Sequence, residues 1–366
     1  MNKLLLALLL FLLSFSWIKV TASDSCPASF PWKAQWINTE RCQSATNTWL
    51  IYRKSFAVTD VPNQLIARIA ADSKYWLWIN DQLVVFEGGL KRGPSPSGTY
   101  YDPVDIAPYL TKGSNTIAIL LWHFGKDGFS HINSGKAALL FEAIAPGLEI
   151  VSDASWQCAL YEAYQNTEAP FPNYRMPESN IRFDARQSIT NWNRTSFEGS
   201  LPGAVCVGKA GKAPFGDLVE RPIPQWKNSG LLSYVSVRES LKGDTLFCRL
   251  PYNAQITPYL KVEAEAGKTI HIRMDNYEGG SERNVRAEYI TREGEQEYES
   301  YGWMNGHEVY YIIPKGVKVL DVKYRETGYN TDLAGSFHCD DPFYDELWQR
   351  SARTLYITMR DNYMDC

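Results

Sequence analysis

Short runs of alternating apolar and polar residues fill the chain from Trp32 to about Ala145. The run LIARIAADS is followed by WLWIN and, after Asp81, by LVVFE. A period of two residues is typical of β-strands, and Asn80 and Asp81 favour a hairpin turn because their side chains tolerate left-handed backbone. The later runs YYDPVDIAPYL and TKGSNTIAILLWH predict a turn, a short crossover and a long central strand. Together these runs predict an antiparallel, jelly-roll-like sandwich.

A second β region follows the run VERPIPQW, in which Pro222 and Pro224 favour an extended connection. Beyond it, ITPYLKVEAEAGKTIHIRMDNY, EQEYESYGW, HEVYYIIP and KVLDVKYRETGY alternate again and predict further strands. Residues 151–221 are less regular, and we assign them to the first domain. The predicted fold is therefore mainly β, with two antiparallel sandwiches at residues 23–226 and 227–337.

The apolar period changes from two to about four near Asp341. Asp340 or Asp341 is a candidate N-cap, and Pro342 suits the first position of a helix. The spacing predicts an amphipathic helix from Pro342 to about Arg360. Its apolar stripe consists of Phe343, Leu347, Ser351, Leu355 and Met359, flanked by Trp348, Ala352 and Tyr356. Two arrangements stay open: the helix packs back on the second sandwich, or it begins a helical domain at residues 338–366.

The amino terminus has the pattern of an export signal. A positive start at Lys3 precedes the apolar run LLLALLLFLLSFSWI, and small or tolerated residues precede a predicted cleavage after Ala22. We therefore expect residues 1–22 to be removed and the mature protein to reach the periplasm or the exterior. No later apolar run has the length of about 18 residues that a membrane span requires, so no span is expected in the mature chain.

The amino-acid composition narrows the classes of molecule that the protein is expected to bind. The chain is 45% hydrophobic and 21% charged with a net charge of -4, which is ordinary for a globular protein and argues against nucleic acid as a partner. The seven cysteines have no CxxC spacing, so neither a zinc site nor another metal or cofactor is predicted. Cys26 and Cys42 are the most plausible disulfide pair by sequence distance.

Aromatic residues are abundant, with 12 Trp and 22 Tyr. Such rings stack on the C–H faces of sugars, and they also pack well inside β-sheets. The composition therefore allows a carbohydrate partner without requiring one.

The stretch from about Gln296 to Cys366, which includes YGWMNGHEVYYIIP and DPFYDELWQRSARTLYITMRDNYMDC, resembles the α-L-rhamnosidases closely, above all those of Bacteroidetes. A looser resemblance covers nearly the whole mature chain. It identifies the first β region with an accessory sandwich and the second with a concanavalin-like sandwich. The partner that it implies is a rhamnose-containing oligosaccharide or polysaccharide.

In that family the helix after the second sandwich opens an (α/α) six-hairpin catalytic barrel and leads into a loop of the form DCPxRxER. Only the first two residues of this loop are present here, as Asp365 and Cys366. The resemblance implies that Asp365 binds rhamnose hydroxyls. It also implies that the general acid and the general base, both glutamates, lie beyond Cys366. Since inverting glycosidases need both carboxyl groups, we expect no catalytic residue in this chain and no activity from it alone.

Three further groups of residues are candidates for binding. Asp275, Asn276, Glu278 and Glu282 surround two glycines, although their spacing differs from an EF-hand loop and suits a hairpin turn. Trp303, Asn305 and His307 form a polar and aromatic cluster that either contacts a sugar or forms a turn. Trp122, His123 and His131 either line a groove or fill the core.

Two functions remain open from the sequence. The chain is either the N-terminal part of an inverting α-L-rhamnosidase or an autonomous secreted carbohydrate-binding protein. The unfinished DC loop at Asp365 favours the first.

Overall fold

β-strands make up most of the chain in the computed structural model, which describes residues 31–42, 44–91, 93–94, 98–279 and 282–363. The predicted signal peptide, Cys26 and Asp365 lie outside these residues. The chain divides into two units, 1–32 and 33–366, and only Pro31 and Trp32 of the first are described.

The strands of the first half are, in chain order, β1 (Gln35–Asn38), β2 (Thr48–Val58), β3 (Ile66–Asp72), β4 (Lys74–Ile79), β5 (Gln82–Gly88), β6 (Gly98–Asp105), β7 (Gly113–His123), β8 (Ala138–Ala145), β9 (Leu148–Val151), β10 (Gln157–Leu160), β11 (Tyr164–Asn166) and β12 (Ile181–Asp184). The strands of the second half are β13 (Val205–Lys209), β14 (Asp217–Glu220), β15 (Leu231–Ser233), β16 (Ser236–Glu239), β17 (Thr245–Ala264), β18 (Thr269–Met274), β19 (Glu278–Gly279), β20 (Glu282–Arg283), β21 (Ala287–Ile290), β22 (Gly294–Glu299), β23 (Met304–Ile312) and β24 (Val317–Glu326). The helix α1 spans Pro342–Ile357, and single 3-10 turns lie at Ala107–Tyr109 and Ala185–Gln187.

Among the described residues these strands form three large sheets and one small hairpin. The first sheet has the order β13-β1-β8-β3-β6-β14, with β9 beside β8. The second has the order β10-β2-β7-β4-β5. The third has the order β11-β12-β21-β18-β23-β17-β24-β15, with β16 and β22 also paired to β17. Nearly all pairs are antiparallel, and the mainly β prediction is confirmed.

The hairpin between β4 and β5 turns where the sequence predicts. Ile79 pairs with Gln82, and both Asn80 (φ 47°) and Asp81 (φ 70°) occupy the left-handed region that a two-residue turn requires. The side chain of Asn80 donates from Nδ2 to the carbonyl oxygen of Tyr109 at 2.9 Å and to Asn115 Oδ1 at 2.7 Å. The turn is therefore held to the neighbouring loop and strand as well as by its own backbone.

The second sheet is buried on both faces. Ile119 and Leu121 of β7 pack in a core shared with the first sheet, whereas Leu120 and Trp122 pack in a core on the opposite side. Adjacent residues of a strand point to opposite faces, so the continuous apolar run of β7 is the pattern of a strand covered on both sides. The opposite core includes Tyr164 and links the second sheet to the segment that leads into the third.

Residues 151–221 divide between the sheets. β12 pairs with β21 in parallel, Ile181 opposite Ala287, so part of this segment belongs to the third sheet. β14 pairs in parallel with β6 of the first sheet. The domain boundary at residues 226 and 227 stays a prediction, but the strands on its amino-terminal side contribute to both halves of the molecule.

The long strand β17 organises the third sheet. It pairs with β16 and β23 along its first half and with β22 and β24 along its second half. Alternate residues such as Cys248, Ile256 and Val262 enter one buried core. In that core the hydroxyl oxygens of Tyr234 and Tyr311 are hydrogen-bonded at 2.8 Å.

The helix α1 begins as predicted, with Asp341 as its N-cap: Asp341 Oδ1 accepts a hydrogen bond from the backbone N–H of Phe343 at 2.9 Å. Its inward face contacts the third sheet. There Arg353 Nε donates to the carbonyl oxygen of Asn253 at 2.7 Å, and the Arg353 guanidinium lies 3.8 Å from the centre of the Tyr252 ring. Trp348, Ala352 and Tyr356 are half-buried on the same side.

The outward face of α1 is apolar and exposed. Phe343, Leu347 and Leu355 are 62%, 47% and 48% exposed, respectively. The predicted stripe therefore splits: Phe343, Leu347 and Leu355 are exposed, whereas the flanking residues Trp348, Ala352 and Tyr356 are half-buried. No helix in the described residues has the length and hydrophobicity that a membrane crossing requires.

Candidate functional site

A buried arginine fixes the segment that follows α1. Arg360 Nη2 donates to Glu87 Oε1 of β5 at 2.7 Å, and Arg360 Nη1 donates to Gln255 Oε1 of β17 at 2.9 Å. The side chains of Arg360 and Glu87 are only 1% and 3% exposed. Glu87 Oε1 also lies 3.3 Å from Lys74 Nζ. This one guanidinium therefore joins the residues after the helix to both the second and the third sheets.

Two tryptophan rings complete the arginine site. The Arg360 guanidinium lies 4.4 Å from the ring centre of Trp226 and 4.7 Å from that of Trp303. The ring of Trp226 also lies 4.6 Å from the Arg221 guanidinium and 5.4 Å from Lys74 Nζ. Cations are attracted to the faces of aromatic rings, most strongly where water is excluded. Trp226 and Trp303 thus replace part of the hydration that these buried cations lose.

The charge state of Glu87 follows from the cations packed around it. Burial by itself raises the pKa of Glu87, but the positive charges of Arg360, Lys74 and Lys91 outweigh burial and hold the pKa of this carboxyl below its ordinary value. Burial lowers the pKa of Lys74, and the charge of Glu87 opposes that shift only in part. Glu87 is therefore an anion whose neighbours are cations.

A second buried carboxylate supports the same region. Asp102 accepts hydrogen bonds from the Tyr75 hydroxyl and from the backbone N–H of Gly89, each at 2.8 Å, and from Arg221 Nη1 at 3.2 Å. Burial, with the charge of Asp102, holds the pKa of Tyr75 well above its ordinary value. Asp102 and Arg221 thus tie β6 to the residues that lead towards the third sheet.

A cleft of about 550 Å³ opens beside Trp303. Its walls come from the loop before β8, from the loop before β12, from the start of β23 and from the residues after α1. We call it the asparagine cleft. It is lined by Lys91, Phe129, Ser130, Asn173, Arg175, Met176, Pro177, Glu178, Met274, Asn276, Asn284, Val285, Trp303, Met304, Asn305, Ile357, Thr358, Asn362 and Tyr363.

Carboxamides dominate the polar lining of the cleft. Of the described residues, Asn173, Asn276, Asn284, Asn305 and Asn362 line it. Asn284 Nδ2 donates to the carbonyl oxygen of Asn276 at 2.7 Å, and Asn173 Oδ1 accepts from the backbone N–H of Arg175 at 2.8 Å. Asn276 Oδ1 is buried without a hydrogen-bond partner in the described structure. Because this oxygen has almost no exposed surface, it is not an acceptor that the cleft offers to a ligand.

Exposed aromatic rings lie at the cleft: Phe129 and Tyr363 line it, and Tyr174, outside the lining, packs against Phe129. Phe129 and Tyr174 are 70% and 71% exposed and meet edge to face, with ring centres 6.4 Å apart. The Arg175 guanidinium lies 5.5 Å from the first ring and 5.3 Å from the second. Tyr363 lies at another part of the lining and is also largely exposed. The lining therefore combines exposed aromatic rings with carboxamides.

The charged side chains of the cleft already have ionic partners. Lys91 Nζ forms a salt bridge with Glu178, and both side chains are nearly buried. Arg175 Nη1 lies 3.5 Å from Glu282 Oε2. The backbone N–H of Lys91 donates to the Asp361 carboxylate, which links this wall of the cleft to the residues after α1. Little charge is left to attract an ionic ligand.

The structure separates the cluster predicted around Trp303. Trp303 and Asn305 line the cleft, but Asn305 belongs to β23 rather than to a loop. His307 is exposed and outside the lining; its backbone N–H donates to Asp275 Oδ1 at 3.0 Å. Asp365 lies outside the described residues, two positions after Tyr363 in the sequence.

Trp122, His123 and His131 are buried core residues. The ring of Trp122 stacks on Trp49 at 4.7 Å, and Trp49 in turn stacks on Tyr164 at 3.9 Å. His123 Nδ1 lies 3.1 Å from Asp72 Oδ1, and burial lowers the pKa of His131. Much of the aromatic excess is therefore explained by packing on the second face of the second sheet.

The acidic segment near Gly279 is a hairpin, in which β19 pairs with β20. Its acidic side chains point to separate partners: Glu278 lies 4.0 Å from Arg283, and Glu282 contacts Arg175. No group of three or more His, Cys, Asp and Glu side chains suited to a metal ion occurs among the described residues.

Sequence reasoning missed the buried charges. Lys74 and Glu87 stand inside the apolar runs KYWLWI and LVVFEG, where an unpaired charge is costly. A charge at such a position is a usable signal for a buried ion pair, although the sequence does not show that the partner of Glu87 is Arg360.

No family model matches the sequence, and no curated protein matches it. Solved structures do share the fold. A rhamnosidase of glycoside hydrolase family GH78 from Bacillus sp. GL1 superposes over 92% of this chain and 59% of its own, with a TM-score of 0.80 and 17% identity. The α-L-rhamnosidase of Dictyoglomus thermophilum covers 92% of this chain and 40% of its own, with a TM-score of 0.67 and 20% identity. The α-L-rhamnosidase of Streptomyces avermitilis, solved with L-rhamnose, covers 87% of this chain and 32% of its own, with a TM-score of 0.66 and 16% identity.

These likenesses establish a common fold. The chain spans 59% or less of the length of each of these three solved proteins.

Proposed function

We propose that this chain is the β-sandwich part, with the first barrel helix, of an inverting α-L-rhamnosidase that removes terminal α-L-rhamnose from plant or microbial glycans. The observation that carries the proposal is the shared fold over 92% of the chain with the rhamnosidase of Bacillus sp. GL1. The independent resemblance of residues 296–366 to the same family supports it.

In this proposal the buried site around Arg360 positions the residues that follow α1. Arg360 and Asp361 hold the residues after α1 against β5, β17 and the backbone of Lys91. Asp365, which the family resemblance assigns to rhamnose hydroxyls, follows four residues after Asp361. In this proposal the sheets act as a rigid support from which the sugar-binding loop starts, since a site is only as precise as the residues that hold it.

Hydrolysis itself requires groups that the family places in the barrel. Inversion needs a carboxylic acid to protonate the leaving oxygen and a carboxylate to activate water, about 6.5–9.5 Å apart. We assign neither role to a residue of this chain, and we expect the 366-residue chain alone to be inactive. We also propose that residues 1–22 are a signal peptide and that the mature enzyme acts in the periplasm or outside the cell.

The proposal is tested with the complete product of the gene that encodes this chain. It is assayed on a panel of 4-nitrophenyl glycosides beside the 366-residue chain. We expect release of nitrophenol from the α-L-rhamnoside by the complete product, with β-L-rhamnose formed first, and none by the chain alone. Preference for another glycoside, or turnover by the chain alone, contradicts the proposal.

An autonomous carbohydrate-binding protein is the second candidate, and the asparagine cleft is the observation that favours it. The two functions differ in one measurement. A complete gene product that binds glycans but hydrolyses no rhamnoside supports binding without catalysis.

A further inference from the structure

We propose that His131 is an acid-sensitive anchor: its neutral imidazole holds the loop of residues 125–135 closed, and protonation of the ring releases that loop. This regulation by pH goes beyond the proposed function, because it involves neither a bound sugar nor any residue outside the described part of the chain.

The hydrogen bonding of His131 fixes the form of its ring. His131 Nδ1 lies 2.8 Å from the carbonyl oxygen of Lys91, and His131 is only 6% exposed. Since a carbonyl oxygen only accepts hydrogen bonds, Nδ1 carries the proton of the neutral ring and Nε2 carries none. Nε2 is buried without a hydrogen-bond partner in the described structure, and the rings of His131 and Phe124 meet edge to face with centres 5.3 Å apart. A proton added to Nε2 therefore creates a buried cation whose new donor has no acceptor.

Charged groups from three other segments face the ring. Burial lowers the pKa of His131, and the anions Asp72, at the end of β3, and Glu178, before β12, oppose this shift only in part. The charge of Lys91, after β5, acts in the same direction as burial. The closed loop therefore favours the neutral ring.

Both anions are already bound by other groups. Asp72 Oδ1 lies 3.1 Å from His123 Nδ1, and Asp72 Oδ2 accepts a hydrogen bond from the backbone N–H of Ser134 at 3.2 Å. Glu178 forms a salt bridge with Lys91 and also faces Lys126. A protonated His131 would have to compete with these partners.

The build of the loop suits release as a unit. Gly125 (φ 69°) and Gly135 (φ 79°) stand at its two ends in the left-handed region, and such small residues often serve as hinges. Among residues 126–134, all of which are described, His131 is the one buried residue, whereas Phe129 is 70% exposed. Little apolar burial besides that of His131 therefore holds the loop in place.

Release of His131 acts on two neighbours. Lys91 loses the donor to its carbonyl oxygen, and the N–H of the same residue donates to the Asp361 carboxylate after α1. Phe129 and Ser130 of the loop line the asparagine cleft. Acid therefore loosens the segment that holds Asp361 and moves one wall of the cleft.

The direction of the pH dependence follows from the two states of the ring. The released ring binds a proton with its ordinary pKa of 6.5, whereas the buried ring binds one only at a lower pH. The open loop is therefore favoured as the pH falls from about 6.5 to the pKa of the buried ring, by at most about tenfold per pH unit.

Hydrogen exchange of the 366-residue chain, followed by mass spectrometry at about pH 7.5 and about pH 5, tests the proposal once the rates are corrected for intrinsic exchange. We expect exchange of residues 125–135 to rise by about fivefold to thirtyfold at the lower pH, and exchange of residues 117–121 in β7 to stay unchanged. Unchanged exchange in the loop, or an equal rise in β7, overturns the proposal.

Matched variants identify the group that binds the proton. His131→Gln keeps a donor for the Lys91 carbonyl oxygen but does not titrate, whereas His307→Gln removes a histidine whose side chain is 64% exposed. The rise in loop exchange should fall below about twofold in His131→Gln and stay unaltered in His307→Gln. A full rise in His131→Gln would assign the proton to another group, such as His123, and overturn the proposal.

The original chain alone decides the matter if a thermal melt shows that His131→Gln does not fold. Its loop exchange is then followed in steps from about pH 8 to about pH 4. The rise should begin near pH 6.5 and stay within about tenfold per pH unit, as for one histidine. A rise that begins only below about pH 4.5, where carboxyl groups bind protons, overturns the proposal.

Discussion

Arg360 and Glu87 are 273 residues apart in the sequence and form a hydrogen-bonded ion pair that is buried on both sides. Such a pair fixes position more than it adds net stability, because both ions lose their hydration when they are buried. Breaking it is costly, since Glu87 keeps its desolvation and is left with Lys74 as its close ionic partner. Arg360 is therefore the point at which the residues after α1 are most firmly held to the sheets.

Replacing Arg360 by methionine should lower the free energy of unfolding by about 1.5–3 kcal/mol, because Glu87 loses a charged hydrogen-bond donor and keeps only Lys74 as a close ionic partner. Urea denaturation followed by tryptophan fluorescence measures the change. The matched control is Arg350→Met, whose partner Glu346 lies on the exposed face of α1. The control should change the free energy of unfolding by less than about 1 kcal/mol. Equal losses in the two variants would show that burial of the Arg360 pair is unimportant.

Glu87 should make stability depend on pH in the acid range. Its pKa is lower in the folded protein than its ordinary value of 4.5, so it contributes stability that is complete above pH 4.5 and is lost as the pH falls through the folded pKa. Glu87→Gln has no such proton to bind. Unfolding free energies measured from about pH 6 to about pH 3 should therefore fall less steeply for Glu87→Gln than for the original chain, by at most about 1.4 kcal/mol per pH unit. Parallel curves would exclude this role for Glu87.

Amide exchange should divide α1 into two halves. Arg353 and Ile357 are hydrogen-bonded to β17 through Asn253 and Gln255, whereas the helix before Trp348 has an exposed apolar face and an isolated helix of this length is marginal in water. Residues 352–357 should exchange more slowly than residues 343–350 when the 366-residue chain is studied by mass spectrometry. Uniform protection along the helix would show that its first half has found a partner.

Polar substitution should have opposite effects on the two faces of α1. Leu347→Glu alters an exposed apolar residue, so it should raise solubility and leave the melting temperature within about 2 °C. Ala352→Glu places a charge on the half-buried face and should lower the melting temperature by several degrees. Differential scanning calorimetry and a solubility series compare them. A larger loss for Leu347→Glu would reverse the assignment of the faces.

The features that the sequence predicts well are those with local signals. The turn at Asn80 and Asp81 follows from two residues that tolerate left-handed backbone, and α1 begins where an acidic cap precedes Pro342. Both structures depend on neighbours within a few positions. The alternation of β3 predicts a strand for the same reason.

Other features depend on residues that are distant in the sequence. The partner of β12 is β21, and Arg182 and Glu288 across that pair are 106 residues apart. The cleft is built from loops of several segments, so Trp303 and Asn305 are recognisable as candidates but their neighbours Phe129 and Asn276 are not. Trp122 looks like a sugar-binding residue by composition and is core, because the second sheet is covered on both faces.

The parallel pairing of β12 with β21 also sets an order of events on the ribosome. β12 leaves the exit tunnel about a hundred residues before β21, which at synthesis rates of about 5–20 residues per second is a delay of roughly 5–20 seconds. During that time the first and second sheets can close around their shared core, while β12 and the apolar face that includes Tyr164 await the third sheet. A chain that folds in this order therefore has an unpaired strand beside a closed sandwich until β21 is available.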